Sequence, residues 1–105
     1  MLKTGLVPAS VAATEAAWYA SRAATNGVPL DIRHQFTKGD WEMWTAAWLK
    51  DHFEIRDLLV SGLYSFVNTT GQRVPLSDWY DTVTNHQSGF QARPVVGGFF
   101  ALLTL

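Results

Sequence analysis

Apolar positions in the first two thirds of the chain recur at helical spacing. Pro8 to Ala24 predicts a first helix, with Pro8 in the opening turn and eight alanines among the residues that follow. Val11, Glu15, Trp18 and Arg22 fall on one stripe, and the alanines make a face small enough for another helix to approach. Asn26-Gly27 is a stop signal, and Gly27 to Phe36 reads as a loop. Thr37-Lys38-Gly39-Asp40 has the spacing of a capping box, with Thr37 as N-cap and Asp40 at the third helical position. The second helix then runs to about Lys50. Trp41, Trp44 and Trp48 lie at i, i+3 and i+7, one aromatic stripe. Such a stripe is ordinarily core; the alternative is that it lines a cavity. Asp51 is the expected cap of a third helix reaching about Val67. Its apolar positions, Ile55, Leu58, Leu59, Leu63, Phe66 and Val67, cover more than half the circumference and imply burial on several sides.

The helical period then stops. Thr69 to Pro75 is a polar turn, and Leu76 to Phe90 reads as an ordered irregular loop, with a short hairpin near Thr84-Asn85 as the alternative. Pro94 opens a fourth helix through Leu103, against which Gly97 and Gly98 each count by about 1 kcal/mol relative to alanine. The expected architecture is a single mainly α domain over residues 1–105. It has four helices in two antiparallel hairpins and an irregular loop at 76–90.

Composition narrows the function classes. With 48% apolar residues, 16% charged residues and a net charge of -1, the chain is not an intrinsically disordered one. It carries no positive field that would draw nucleic acid or an anionic membrane, so neither is expected as a partner. The absence of cysteine excludes disulfides, zinc-thiolate sites and a cysteine nucleophile. No apolar run approaches the roughly 20 residues that span a bilayer. Thr4, Pro8 and Ser10 interrupt any apolar leader after Lys3, so no signal peptide is visible. Thirteen of the 17 charged residues lie in positions 1–57; only Arg73, Asp78, Asp81 and Arg93 follow. Such a charge-poor stretch is hard to keep monomeric, and five tryptophans in a chain this small either line a cleft or are covered by a partner, so the chain reads as part of something larger, with a homo-oligomer as the expectation.

Asp78-Trp79-Tyr80-Asp81 is the most suggestive chemistry. Two carboxylates flanking two aromatics suit acid/base work, and Trp79 and Tyr80 suit a ligand ring. The plainer alternative is that both aspartates accept N–H bonds in turns. Arg93 has the geometry to clamp a carboxylate, whether a ligand's or that of Asp78 or Asp81. His86 is a candidate proton carrier. Asp40, Trp41 and Trp44 are candidate ligand contacts. His34, His52 and His86 lack metal-ligand spacing, so no metal and no cofactor is expected. Asn68-Thr69-Thr70 is an N-glycosylation sequon.

Several strings carry a resemblance. Thr37-Lys38…Asp40-Trp41…Trp44-Thr45-Ala46, Ser77-Asp78-Trp79-Tyr80-Asp81-Thr82 and Gln91-Ala92-Arg93-Pro94-Val95-Val96-Gly97-Gly98, in this order, resemble the C-terminal part of the fungal and bacterial glutaminase A family. The resemblance implies part of a larger helical-hairpin domain, similar to the six-hairpin α/α toroid of many glycosidases. It also implies a secreted origin and amide hydrolysis of glutamine. Three functions follow as expectations. The first is a glutaminase-like hydrolase, or a fragment of one, with Asp78 and Asp81 catalytic and Arg93 on the substrate carboxylate. The second is a sugar-binding module built on Trp79, Tyr80, Trp41 and Trp44. The third is an oligomeric fragment without a site. The small-molecule partner is accordingly an amino acid or a sugar.

Overall fold

A computed structural model describes residues 5–105. Lys3 and Thr4, on which the leader expectation partly rests, lie outside the described residues. The elements in chain order are α1 (Ala9–Arg22), β1 (Phe36–Lys38), α2 (Gly39–Trp48), α3 (Phe53–Thr69), β2 (Ser77–Asp81), β3 (Gln87–Gln91) and a C-terminal 3-10 helix (Pro94–Thr104). The strands form one antiparallel sheet in the order β1-β2-β3. The four expected helices are present, but the molecule is not purely helical, and among the described residues they close no ring.

α2 is the centre of the packing. One face of it joins Ala16, Val28, Ala46, Leu49, Ile55 and Leu59, drawn from α1, α2, α3 and the intervening loop. Another joins Met43, Ala47, Leu63, Phe66, Tyr80 and Ala101, which ties α2 to α3, β2 and the 3-10 helix. Each buried leucine or phenylalanine contributes about 1.5–3 kcal/mol. On α1 the alanine face packs inward through Ala16, while Val11, Trp18 and Arg22 face solvent. The tryptophan stripe of α2 is also exposed: Trp41, Trp44 and Trp48 are 53%, 41% and 40% accessible. The core face of this helix is made of small residues instead.

Several local expectations are corrected. α1 stops at Arg22, before Ala23 and Ala24, because Ala24 and Gly27 exchange backbone hydrogen bonds across a tight turn. Gly27 adopts φ +133, which side-chain-bearing residues rarely reach. Thr37 is not an N-cap. It is a buried strand residue opposite Tyr80, and α2 starts after Lys38 with no side-chain cap. Nor does Asp51 cap α3, which starts after His52 without one. The region 76–90 is not an irregular loop but the β2–β3 hairpin, turning at Thr84-Asn85, where Asn85 has φ +70. The fourth helix is of 3-10 type, as suits a segment from which Gly97 and Gly98 remove α propensity.

Candidate functional site

Three chain segments meet at the junction of the sheet, α2 and the 3-10 helix. Lys38 ends β1, Asp40 lies in the first turn of α2, Asp78 is the second residue of β2, and Arg93 immediately precedes the 3-10 helix. Asp78 is 1% exposed, and its Oδ2 lies 3.4 Å from Arg93 Nη1 and 3.5 Å from Lys38 Nζ. Charge-assisted pairs usually close to about 2.7–2.9 Å, so both contacts are loose. The Lys38 and Arg93 side chains are 31% and 39% exposed and lie between Asp78 and solvent. Asp40 is 3% exposed. Burial pushes its carboxyl above the usual range and the nearby Asp78 charge adds to this, while backbone N–H groups of the first turn and Lys38 pull it back. The Oδ1 atoms of Asp40 and Asp78 are buried without a hydrogen-bond partner among the described residues. An unpaired buried polar atom is costly and calls for an explanation.

The strand separates residues that are adjacent in sequence. From Asp78 to Asp81 the side chains of β2 alternate, so Asp78 and Tyr80 point inward while Trp79 and Asp81 point out. Asp78 and Asp81 therefore do not form a pair. Asp81 accepts the N–H groups of Val83 and Thr84, each at 2.8 Å, and closes the hairpin turn. Burial would push its carboxyl up, but these bonds outweigh that and hold it below the usual range. Trp79 and Tyr80 do not make a joint platform. Trp79 packs edge-on against Phe36 at 5.5 Å, whereas Tyr80 is fully buried and stacks on Phe66 at 3.7 Å. Trp41 and Trp44 remain exposed, edge-to-face at 5.1 Å. His86 is an exposed turn residue whose carbonyl accepts the Asp81 N–H. Asn68 is exposed near the end of α3. No cluster of three or more metal-ligating side chains exists among the described residues, and none of their helices is long and apolar enough to cross a membrane.

Two functional-looking residues escape the sequence reading, Lys38 beside Asp78 and Glu42 in the core. Glu42 is 4% exposed, accepts the Val28 N–H at 2.7 Å and lies 2.5 Å from the Tyr80 hydroxyl. A signal for it exists: Glu42, Ala46 and Leu49 share the i, i+4, i+7 stripe that turns inward.

Comparison with known proteins places this arrangement in a family. The family model of the glutaminase A six helical-hairpin domain matches residues 1–103. The chain belongs to this family. Glutaminase A of Aspergillus oryzae is 43% identical over 107 residues, covering 99% of this chain and 15% of the relative. A probable glutaminase of Arthroderma benhamiae is 39% identical over 106 residues, covering 98% of this chain and 12% of the relative. The chain thus spans less than one sixth of the length of these curated relatives. No solved structure matches it. The strings that carry the glutaminase A resemblance converge in space: Lys38 and Asp40 come from one, Asp78 from a second and Arg93 from a third.

Proposed function

We propose that this chain supplies part of a glutaminase-type centre that hydrolyses the side-chain amide of glutamine. The observation that carries the reading is the junction of Lys38, Asp40, Asp78 and Arg93, where two buried carboxyls each leave one oxygen unpaired behind two half-exposed cations. Arg93, with Lys38, takes the carboxylate of the amino acid. As the cations turn outward to the substrate, their loose bonds to Asp78 are released. Asp78 then orients a water and takes its proton as the oxygen attacks the amide carbon. Asp40, whose carboxyl burial holds above the usual range, gives a proton to the nitrogen as the C–N bond breaks. The products are glutamate and ammonia, and two carboxyls with distinct environments share the acid and base roles. The same family membership underlies a secreted origin, with Asn68 as the acceptor for a glycan.

Ammonia release from L-glutamine tests this. Asp78→Asn and Asp40→Asn are expected to lower turnover by about 10²- to 10⁴-fold, the usual contribution of a positioned acid or base. Asp81→Asn, altered only at the hairpin turn, is expected to keep turnover near wild type. Equal turnover by the wild type and Asp78→Asn contradicts the reading.

A further inference from the structure

Glu42 sits where α2, α3, β2 and the 26–28 loop converge, and the hydrogen bonds around it fix where a proton must be. The Tyr80 hydroxyl oxygen lies 2.7 Å from the Asn26 carbonyl oxygen and 2.5 Å from Glu42 Oε2. A tyrosine hydroxyl has one proton to give, and a carbonyl only accepts. A neutral Glu42 satisfies every group: it donates from Oε2 to Tyr80, Tyr80 donates to Asn26, and Oε1 accepts the Val28 N–H at 2.7 Å. An ionised Glu42 would claim the Tyr80 proton and leave the Asn26 carbonyl without its donor. It would also leave a buried charge whose hydrogen-bond partners include no cation.

The titratable groups around Glu42 are few. Tyr80 faces it from β2, Tyr19 lies across a shared cavity from α1, and Asp40 is two residues back on α2. The loop is pressed directly on the carboxyl. A Cβ on Gly27 would lie 2.1 Å from Glu42 Oε1, and on the opposite side a Cβ on Gly62 of α3 would lie 2.6 Å from Gly27 Cα. Ser65 of α3 also donates to the Asn26 side chain at 2.8 Å.

We propose that the protonated Glu42 carboxyl is a latch that holds the 26–28 loop closed between α2, α3 and β2, and that its ionisation releases the loop. The segment beyond the latch, Val28 to Leu30, walls a cavity of about 390 Å³ with Tyr19, Trp41 and Leu59. Release of the loop opens that cavity. Burial pushes Glu42 from 4.5 up to about 8, against the opposing bonds from Tyr80 and Val28. The group's folded value is raised, so its contribution is fully present below 4.5 and is lost as pH rises through about 8. The latch is therefore closed at neutral pH and opens in mild alkali.

Carboxyl ¹³C NMR and amide exchange of the chain test the proposal. The Glu42 carboxyl should titrate near pH 8, and protection of the Gly27 and Val28 amides, corrected for intrinsic base catalysis, should fall over the same range. Glu42→Gln is isosteric with the neutral acid: its amide donates to Tyr80 and accepts from Val28. Its protection at these two amides should persist through that range. A Glu42 carboxyl that titrates in the ordinary glutamate range overturns the proposal. So does the same pH dependence of protection in wild type and Glu42→Gln. If the variant fails to fold, the wild-type carboxyl titration decides alone.

Discussion

Gly62 lies so close to the Gly27 backbone that it has no room for a side chain. A Cβ on Gly62 would lie 2.6 Å from Gly27 Cα and 2.7 Å from its nitrogen, backbone atoms that have nowhere to turn. Gly62→Ala should cost about 1–3 kcal/mol in urea unfolding, as overpacking usually does. Gly71, where a Cβ would meet nothing within 4 Å, serves as control; Gly71→Ala should stay within about 0.5 kcal/mol. Tyr80 offers a second residue-scale test. Tyr80→Phe keeps the stack on Phe66 but removes the hydroxyl shared by Asn26 and Glu42. Leaving buried groups short of a partner costs about 1–3 kcal/mol. The Tyr80 bond opposes the rise in the Glu42 carboxyl, so its loss should move the Glu42 titration to higher pH. An unchanged titration would show that the two groups do not communicate.

At the scale of elements, the helices are legible in the sequence and the sheet only as the alternative hairpin near Thr84-Asn85, for one physical reason. α3 buries apolar and small residues at helical spacing, and α2 does so through Met43, Ala46 and Ala47 beside the polar Asp40 and Glu42, so a helical period shows in the sequence. In β2 the inward positions are Asp78 and Tyr80 and the outward one is Trp79. The alternation is there, but polar groups occupy the buried side, and a hydrophobicity pattern reads it as irregular. Thr37 in β1 hides in the same way, buried opposite Tyr80. The candidate site is half legible. Residue type points to Asp78, Arg93 and Asp40, and the pairing of Arg93 with Asp78 is one of the alternatives it leaves open. That Asp81 leaves the pair follows only from strand alternation, and Lys38 and Glu42 carry no signal of their own in residue type. The turn role of Asp81 is testable: Asp81→Ala removes the acceptor of two N–H bonds. Exchange at the Val83 and Thr84 amides should speed up while the α3 amides stay protected. Equal exchange in both regions would contradict the assignment.

Taken whole, the molecule leaves much apolar surface uncovered. On the 3-10 helix Phe100 is 63% and Leu103 81% exposed, and Phe100 lines a shallow cavity with the half-exposed Trp44 of α2. Patches of this kind mark association surfaces, and this face is where we expect copies to meet. Light scattering at tens of micromolar should give a mass above 11.7 kDa, and Leu103→Glu should restore the monomer. A monomer at every concentration would contradict the expected association. That a substrate meets this chain at the junction of Lys38, Asp40, Asp78 and Arg93 is the proposal on which its function turns. It is tested most directly by ¹⁵N NMR titration with L-glutamine, following the backbone amides and the Arg93 side-chain Nε. Saturable shifts are expected at Lys38, Asp40, Asp78 and Arg93, abolished by Asp78→Asn together with Arg93→Ala. Shifts confined to Trp79, Asp81 and His86, or no saturable shift at all, would contradict it.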